Sequence, residues 1–510
     1  MDFFVQSRAS LPIVVLGFLL LAFVTLTGIV VHALCFSAYN HVPGPRLCKI
    51  TRLWLAYHDV TLKRNEKIYK WHQQYGSVVL IAPGEVSFSG VSTTREIYGS
   101  NGRHPKSKYF DHFLSYGGER ATFNTLDYDS HRDKRKLTFA FFQSTSMYKP
   151  VVIDPIRSRV RAFLDQVAND IRNDQTLDFF SRVNLYAFDN ITRLLYGPRQ
   201  GSRTIENKCQ ERVMLEGLKE CEVWNNLLFN FPLAHKLVKY ATSRFTGNSL
   251  FLNAEDKLTD WNTCRLNTAA LDPLFGADDS LLYRLQEMKT KNGFPLSRKW
   301  IAAEVLDNLN AAQTTVTVAM TYVLWNIARN PIWQKLIRQE LRQLPLQEDG
   351  MPSFADIDAC RVLDACIKES YRVNPLSSGR AERVVPTTKE YDGVLLPEGT
   401  IVSTSTIAIH RCSLVFADPE TYNPSRWLQA DSERLRAMEK CFIPFGYGAR
   451  LCLGKAFATI EVKMLVACLL LQYQICEDED SATTVESMKQ SGTQDALPRG
   501  LRCDLLVKAI

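Results

Sequence analysis

The sequence predicts a mainly α-helical protein with small β-sheets, preceded by one N-terminal transmembrane helix. Three observations support this fold class. The 510-residue chain begins with a long charge-free apolar run. Most later segments repeat their apolar residues at helical spacing. Strands and helices do not alternate in the way that builds a doubly wound parallel sheet, so that architecture is excluded.

The apolar run Leu11–Val31 contains no charged side chain. As a helix rising about 1.5 Å per residue it spans about 31 Å, close to the ~30 Å hydrocarbon core of a bilayer. A cleaved signal peptide and a buried core helix are the alternatives. The apolar region of a signal peptide has only ~7–15 residues and ends at a small-residue cleavage site, and a core helix is not expected so early in the chain, between charged residues and a proline break. Arg46, Lys49 and Arg52 follow the run, and this basic excess predicts a body on the cytosolic side of a single-pass protein. The chain is expected to divide into an anchor (1–34), a proline-containing hinge (35–50) and a catalytic domain (51–510).

Charge and cysteine content exclude several classes of protein. Sixty-one Lys and Arg against 54 Asp and Glu give a net charge of +7, which is too small and too dispersed to indicate nucleic-acid binding. The 13 cysteines are scattered, odd in number and without a C-x-x-C pair. A zinc ribbon and a dense disulfide framework are therefore unsupported, and most cysteines are interpreted as buried thiols in a reducing compartment.

Within the body, Lys63–Tyr75 is predicted to be a helix that ends at Gly76. Two short strands, Ser77–Ile81 and Glu85–Phe88, are predicted on either side of a turn. Strand signals return around 383–403. Helical patterns occupy most of the rest and cover 129–142, 151–175, 180–196, 205–245 and 300–345.

Trp300–Asn330 is predicted to form one long helix of about 46 Å, bounded by Pro331. A central core helix is the simplest interpretation. Polar side chains nevertheless interrupt its apolar pattern, and buried hydroxyls and amides need partners, so a functional groove is favoured. These side chains are Asn308, Asn310, Gln313, Thr314, Thr315 and Thr317.

A glycine-rich loop, Phe445–Gly454, directly precedes the apolar helical segment Lys455–Leu471. It presents a single thiol, Cys452, beside Arg450 and close to a helix N-terminus. Both features lower the pKa of a thiol and suit it to bind a metal. The loop glycines let the backbone approach a flat partner closely. An isolated cysteine is most often a buried thiol, and that remains the interpretation of the other twelve.

This loop resembles the haem loop of the cytochrome P-450 family, F-x-x-G-x-R-x-C-x-G. All five fixed positions match, namely Phe445, Gly448, Arg450, Cys452 and Gly454. The resemblance implies the cytochrome P-450 fold and a haem b cofactor with Cys452 as the iron ligand. It also implies that Phe445, Arg450 and Gly454 help to bind the cofactor. The N-terminal anchor is similar to that of microsomal eukaryotic members, which implies the endoplasmic reticulum membrane, and the region around Tyr75–Glu85 looks like fungal members.

Two upstream motifs occur in the order that the family has. Glu369–Arg372 resembles E-x-x-R, and Pro424–Trp427 resembles P-x-R-F with Trp in place of Phe. The resemblance implies that Glu369, Arg372 and Arg426 form a buried ion triad that holds the scaffold of the haem loop. Taken alone, E-x-x-R is a common exposed pair on a helix.

A third motif concerns the haem propionates. Tyr128–Arg132 resembles W-x-x-x-R with Tyr in place of Trp. By similarity, Tyr128, Arg132, Arg383 and Arg450 are expected to bind the two propionates, a task suited to charge-assisted hydrogen bonds.

The long helix departs from the family on the distal side of the haem. Counting back from Pro331 aligns Ala311–Thr315 with A/G-G-x-D/E-T, so Thr315 is kept while Thr314 replaces the acid. A shift of one residue would put Thr314 at the alcohol position and Gln313 at the acid position. Neither alignment restores a carboxylate. Thr315 and Thr314 are therefore the expected catalytic side chains, and protons must reach the iron without the usual distal acid.

The first functional hypothesis is a monooxygenase that oxidises a lipophilic small molecule, such as a terpenoid or polyketide intermediate of fungal secondary metabolism. By family analogy it would use O₂ and electrons from NADPH-cytochrome P-450 reductase. A reductase-independent haem-thiolate isomerase or dehydratase is the second hypothesis, because the distal acid is missing. A non-catalytic haem carrier or sensor is the third.

Two surfaces are expected to serve this function. The segments expected to line the substrate site are 110–126, 222–234, 308–316, 376–381 and 489–495. A basic face for an acidic reductase is expected at Arg132, Lys134, Arg135, Lys136, Lys440 and Lys455. A solvated helix face is the alternative interpretation of these charges.

Overall fold

The computed structural model describes residues 3–113, 117–172, 175–246, 250–271, 279–290, 292–376 and 380–510. Residues 114–116 and 377–379, which belong to two of the expected substrate-lining segments, lie outside the described residues. Helices dominate the described chain and are listed here in order. They are α1 (Phe3–Val31), α2 (Arg46–Ile50), α3 (Leu53–Val60), α4 (Arg64–Tyr75), α5 (Val91–Tyr98), α6 (Tyr128–Phe139), α7 (Ser144–Met147), α8 (Pro150–Asp170), α9 (Phe179–Tyr196), α10 (Gln210–Asn230), α11 (Pro232–Thr246), α12 (Leu250–Ala270), α13 (Leu281–Glu287), α14 (Arg298–Ala328), α15 (Pro331–Leu341), α16 (Phe354–Asp358), α17 (Arg361–Val373), α18 (Thr406–His410), α19 (Ser425–Gln429), α20 (Ser432–Cys441) and α21 (Lys455–Gln472).

The strands are short and form three small sheets. They are β1 (Val78–Ala82), β2 (Glu85–Phe88), β3 (Thr176–Asp178), β4 (Arg383–Val384), β5 (Lys389–Tyr391), β6 (Val394–Leu396), β7 (Ile401–Thr404), β8 (Tyr473–Glu477) and β9 (Asp504–Ala509). The first sheet has the order β1-β2-β7-β4, the second β3-β9-β8, and the third is the hairpin β5-β6. In the first sheet β2 pairs in parallel with β7, so that Glu85 is opposite Ile401. This pairing joins the beginning of the body to the segment that leads to the Cys452 loop.

Helix α14 is the centre of the molecule. Nearly all of its residues after Val316 are buried, and it packs along α9 and against α17 and α21. The main hydrophobic core is built from these helices together with α8. The mainly α-helical fold with small sheets is thus confirmed, and the site residues on α14, α17 and α21 are attached to one core.

Two of the predicted helical stretches are each divided into two helices by a proline. The stretch 205–245 becomes α10 and α11, separated at Phe231, and the stretch 300–345 becomes α14 and α15, separated at Asn330. A residue before proline avoids helical dihedral angles because the proline ring would collide with it. Phe231 (φ −140°, ψ 68°) and Asn330 (φ −126°, ψ 73°) both follow this rule.

The N-terminal helix is consistent with a membrane anchor. Val15–Phe36 is long and apolar enough to cross a bilayer, and only 6% of it is buried against the rest of the protein. The segment after it is packed on the first sheet, because Leu80 N–H donates a hydrogen bond to the Pro43 carbonyl over 2.7 Å. Gly44 has φ +154°, and a Cβ atom there would lie 2.6 Å from the Leu80 carbonyl oxygen. The close approach of these two segments therefore requires glycine.

Candidate cofactor site

The loop that carries Cys452 is closed on itself and held against α5. Cys452 N–H donates to the Phe445 carbonyl over 3.0 Å. Gly448 has φ +74°, and a Cβ atom there would lie 2.1 Å from the Tyr98 carbonyl oxygen at the end of α5. A side chain at position 448 would thus displace the loop. A Cβ atom at Gly454 would sit 4.0 Å from Cys452 Sγ, on the other side of the thiol.

The surroundings of the Cys452 thiol suit a metal-binding thiolate. Burial raises its pKa, whereas the N–H groups of Gly454 and Lys455 and the positive charges of Arg135 and Lys455 lower it. Two N–H groups at the beginning of α21 and two cations thus stabilise the charged form, which is a soft ligand for iron. Among the described residues, no group of three or more His, Cys, Asp or Glu side chains forms a rival metal site.

The expected ion triad is present in the folded chain. Arg372 donates two hydrogen bonds to Glu369, over 2.9 and 2.8 Å, and Arg426 Nε donates to Glu369 Oε1 over 3.0 Å. Glu369 and Arg372 are fully buried. Arg372 also donates to the carbonyls of Pro419 and Thr421, over 2.6 and 3.0 Å. The triad therefore ties α17 to the chain segment that leads towards the haem loop.

Trp427 is a fourth member of the buried triad. In the sequence it is only a departure from the motif P-x-R-F. Its Nε1–H donates to Glu369 Oε2 over 2.9 Å, and its side chain is 8% exposed. Phenylalanine has no such donor. The replacement of Phe by Trp in the motif was the signal from which this contact could have been found.

Several cationic side chains form a cluster near the Cys452 loop. Arg450 donates to the carbonyls of Thr125 and Leu126, over 2.7 and 2.8 Å, and its Nε is buried without a hydrogen-bond partner among the described residues. Arg383 on β4 and Lys106 are both 6% exposed and face each other in a β-bridge. Burial, together with the neighbouring charge of Arg383, lowers the pKa of Arg450 to about 9. This cluster has an excess of buried positive charge.

Two of the four expected propionate ligands do not join this cluster. The Tyr128 ring lies under the Arg103 guanidinium, at 5.2 Å from its centre. Arg132 is 54% exposed and pairs with Asp129 over 3.2 Å. The expected W-x-x-x-R alignment thus gives Arg132 an exposed position and leaves Tyr128 half-buried beside Arg103.

His131 and Arg135 take their place with the same four-residue spacing. His131 is 4% exposed, and burial together with the charges of Arg450 and Lys106 lowers its pKa to about 2. Arg135 donates to the Leu451 carbonyl over 2.7 Å, one residue before the thiol. The signal was in the sequence as His131-x-x-x-Arg135, three residues beyond the chosen alignment. Lys106 had no such signal, since it is a lone lysine in a loop.

These residues fit the haem that the sequence motifs imply. A haem carries two carboxylates, and buried arginines pair with carboxylates through strong charge-assisted hydrogen bonds. The orphaned Nε of Arg450 and the excess of positive charge are satisfied by such a group. The Cys452 thiol, with the N–H groups of Gly454 and Lys455 beside it, would hold the iron of this group.

The distal residues lie on α14. Thr315 Oγ1 donates to the Ala311 carbonyl over 2.7 Å, and Thr314 Oγ1 donates to Gln313 Oε1 over 3.0 Å. Two carboxyl groups precede them on the same helix. Glu304 is fully buried and accepts from Thr122 N–H over 2.7 Å. Burial and the neighbouring Glu304 raise the pKa of Asp307 to about 8. The list of polar residues drawn from the sequence had missed both acids.

Three of the expected substrate-lining segments meet in the folded chain. The rings of His112 and Phe229 contact each other at 4.6 Å, and Asn226 Nδ2 donates to the Gly492 carbonyl over 3.2 Å. These contacts bring 110–126, 222–234 and 489–495 to one wall, which is rich in aromatic rings. Its rings belong to Tyr109, Phe110, His112, Phe113, Phe123 and Phe229.

Comparison with known proteins agrees with this arrangement. The sequence profile of the Cytochrome P-450 family matches residues 42–497. The chain is 42% identical over 469 residues to cytochrome P-450 monooxygenase FGM1 of Gibberella zeae, covering 92% of each chain. It is 25% identical over 458 residues to fusicoccadiene 8-ol C-16 hydroxylase of Alternaria brassicicola, covering 88% of this chain and 89% of the relative. Its fold is similar to that of the retinoic acid-bound cyanobacterial CYP120A1, with a TM-score of 0.67 and 18% identity over 86% of this chain and 93% of the other.

Proposed function

The chain belongs to the cytochrome P-450 family and is a haem-iron monooxygenase, and from this premise we propose its cofactor, its partner and the kind of substrate it oxidises. The cofactor is haem b, held by Cys452. The electrons come from NADPH through cytochrome P-450 reductase. The substrate is a lipophilic small molecule, into which one atom of O₂ is inserted while the other leaves as water.

The Cys452 loop is the observation that carries this proposal. Burial raises the pKa of the Cys452 thiol, while two backbone N–H groups and two cations oppose this shift and stabilise the thiolate. When bound, the haem supplies the activation of O₂, and a thiolate ligand donates electron density that favours cleavage of the O–O bond. Phe445 accepts the Cys452 N–H, and Gly454 leaves room beside the sulfur.

The cation cluster is proposed to bind the two propionates. Arg383, Arg450 and Lys106 surround that position, and His131 and Arg135 complete it from α6. We include Tyr128 and Arg132 only as neighbours, since Arg132 is exposed and paired with Asp129. Because buried cations without a counter-charge are costly, loading of the cofactor would stabilise this part of the fold.

Thr315 and Thr314 are the proposed catalytic side chains of the distal side. Each hydroxyl donates its proton to an acceptor on α14 and keeps lone pairs that accept a hydrogen bond. They would order water or a substrate hydroxyl and pass protons through a hydrogen-bonded chain. In balance, substrate C–H, O₂, NADPH and one proton give substrate C–OH, NADP⁺ and water.

The aromatic wall supports a lipophilic substrate. Rings near Tyr109 and Phe229 offer apolar surface, and the guanidinium of Arg380 stacks at 4.2 Å from the Tyr109 ring. One relative is a hydroxylase of fusicoccadiene 8-ol, a molecule whose name denotes a diene alcohol. We therefore place the substrate among the terpenoid or polyketide intermediates of fungal secondary metabolism.

The division into anchor (1–34), hinge (35–50) and catalytic domain (51–510) is part of the proposal, as is the location in the endoplasmic reticulum membrane with the body in the cytosol. Arg132, Lys136, Lys440 and Lys455 are exposed and can form the basic face for the reductase. Lys134 and Arg135 instead donate to the carbonyls of Arg120 and Leu451. These two side chains therefore bind groups within the protein and are not part of the proposed basic face.

Reconstitution tests the proposal directly. The reduced protein should bind carbon monoxide with the red-shifted Soret band of thiolate ligation, and Cys452→His should abolish this band while Cys412→Ser keeps it. Product formation should require NADPH and the reductase. Turnover of a peroxide without reductase would instead favour the haem-thiolate isomerase or dehydratase. The absence of a carboxylate at position 314 supports this alternative. A haem spectrum without any turnover would favour a carrier or sensor.

A further inference from the structure

Asn184 lies on α9, outside the loop and the helix that the proposed reaction uses, yet it contacts the distal residues of α14. Its side chain is 1% exposed. Its Oδ1 accepts a hydrogen bond from Gln313 Nε2, and Thr317 Oγ1 lies 3.4 Å from the same oxygen. Gln313 is buried as well, at 4% exposure. Because a buried amide that loses its partner is strongly disfavoured, the contact with Asn184 fixes the Gln313 side chain in one orientation.

The orientation of Gln313 in turn decides that of Thr314. With its N–H group committed to Asn184, the Gln313 amide presents its oxygen to Thr314, whose Oγ1–H donates over 3.0 Å. A hydroxyl has one proton to give and two lone pairs that accept. The Thr314 hydroxyl is thereby held as an acceptor towards any other neighbour. Thr315 is held in the same state by the Ala311 carbonyl.

We propose that Asn184 is a positioning residue for the distal site, which acts through Gln313 to hold the Thr314 hydroxyl as an acceptor. The donor that completes the chain is a water or a substrate hydroxyl beside Thr314. Hydrogen bonds then run in one direction, from that donor to Thr314, to Gln313 and to Asn184. All three protein groups are neutral, and none of them titrates near neutral pH. The proposal rests on the proposed function, since it concerns proton delivery to the haem.

A carboxylate at position 314 would order its neighbours by charge and would need a buried counter-charge. The amide pair orders Thr314 by geometry alone and leaves no net charge at the interface of α9 and α14. Thr317 supports the same arrangement, because its hydroxyl donates to the backbone carbonyl of Gln313 over 2.7 Å. In this chain the loss of the acid is matched by a buried amide pair, Gln313 of α14 and Asn184 of the neighbouring α9.

The test compares Asn184→Leu, Thr314→Val and the double variant in the full-length holoenzyme with reductase and substrate. Asn184→Leu should raise the hydrogen peroxide released per NADPH about fivefold, the factor that corresponds to one net hydrogen bond. Thr314→Val should give a similar increase, and the double variant should be no worse than either. The share of high-spin ferric haem in the resting absorbance spectrum should rise in the same variants, because water beside the haem loses its acceptor.

Asn190→Leu is the matched control. Asn190 is a buried amide on the same helix, 2% exposed, and it lies beside Glu461 of α21, whose pKa is raised by burial and lowered in part by the hydrogen bond with Asn190. Its loss should leave both readouts at their wild-type values. If Asn184→Leu does not load haem, Asn184→Asp keeps an acceptor oxygen for Gln313 and should retain the wild-type peroxide ratio and spectrum.

Each of the following results would overturn the proposal: wild-type behaviour of Asn184→Leu, additive effects in the double variant, or an equal response to Asn190→Leu. The full defect in Asn184→Asp would do the same. Failure of the wild type to turn over with NADPH and reductase would instead refute the proposed function. In that case the spectral comparison still decides whether Asn184 acts on the haem side of Thr314.

Discussion

The indole N–H of Trp427 donates a hydrogen bond to Glu369 Oε2 over 2.9 Å, inside the buried triad. Glu369 thereby receives donors from Arg372, Arg426 and Trp427 and from the Asn423 backbone N–H, over 2.9 Å in the last case. A buried carboxylate with so many donors is held in one orientation. The segment that leads to Cys452 is therefore anchored through one acid.

Trp427→Phe removes this donor while keeping an aromatic ring. We expect the free energy of unfolding to fall by about 1.5–3 kcal/mol, the usual value of a hydrogen bond to a charged group. Chemical denaturation of the detergent-solubilised protein measures it. Trp300→Phe is the control, because the buried Trp300 Nε1 has no hydrogen-bond partner among the described residues. Equal losses in the two variants would show that ring volume, and not the Glu369 contact, is responsible.

Arg135→Ala should lower haem occupancy, whereas Arg132→Ala should leave it unchanged. Arg135 donates to the Leu451 carbonyl and lies close enough to Cys452 to lower its pKa. Arg132 lies on the same helix but is 54% exposed. The ratio of haem absorbance to protein after purification is the measurement. A loss in Arg132→Ala with none in Arg135→Ala would restore the W-x-x-x-R alignment.

Thr315→Ala should reduce product per NADPH and increase the release of hydrogen peroxide. The variant removes a hydroxyl whose proton goes to the Ala311 carbonyl and whose oxygen accepts from the distal side. The measurement is the ratio of product and of peroxide to NADPH with reductase present. Thr321→Val is the control, since its hydroxyl only donates to the Thr317 carbonyl within α14. Unchanged coupling in Thr315→Ala would reduce the threonine to helix packing.

Stability should fall as pH rises, through a pair of carboxyl groups between α10 and the C-terminal segment. Asp495 N–H donates to Glu222 Oε1 over 3.1 Å. Burial and the nearby Asp495 raise the pKa of Glu222 to about 8. The folded state therefore keeps a proton that the unfolded chain loses above pH ~4.5, and stability decreases from there up to about pH 8.

Glu222→Gln should remove much of this decrease. The difference in unfolding free energy between the variant and the wild type should thus grow from about pH 5 to about pH 8.5. Denaturation in detergent at both pH values provides the comparison. Glu220→Gln on the same helix is exposed and should show no such growth. A constant difference for Glu222→Gln would mean that its carboxyl titrates normally.

Deletion of residues 1–38 should leave haem binding intact and weaken membrane attachment. The deletion keeps Tyr39, whose hydroxyl is within 3.0 Å of Thr400 Oγ1 on the body. The helix Val15–Phe36 is scarcely buried, so its removal uncovers little of the core. Fractionation and the carbon monoxide spectrum test the two halves of this prediction. A soluble truncation without haem would contradict it.

Sequence motifs predicted those parts of the site whose residues lie close together in the sequence. The Cys452 loop and the Glu369–Arg372 pair have fixed spacings that a linear sequence reveals. The spacing of residues does not identify the residues of α6 that we propose to bind the propionates, because a four-residue spacing fits both Tyr128 with Arg132 and His131 with Arg135. Only packing against the loop decides which face of α6 is buried.

Contacts between distant segments escaped sequence reasoning for a related reason. Lys106 is brought to Arg383 by a single β-bridge, which no periodicity announces. Asn184 meets Gln313 because two long helices lie side by side, and each residue alone is an ordinary amide. Secondary structure followed from spacing, whereas the partners of buried polar groups followed from the fold.

The close approach of Gly448 to the Tyr98 carbonyl has a consequence for how the protein matures. Tyr98, against which the Cys452 loop packs, is translated 350 residues before Gly448. At about 5–20 residues per second this interval lasts roughly 20–70 s. During that interval the apolar N-terminus is already available for membrane insertion, while the thiol does not yet exist. Haem can be captured only when synthesis is almost complete. Acquisition of the cofactor is thus timed by the synthesis of the Cys452 loop and follows the synthesis of the N-terminal helix.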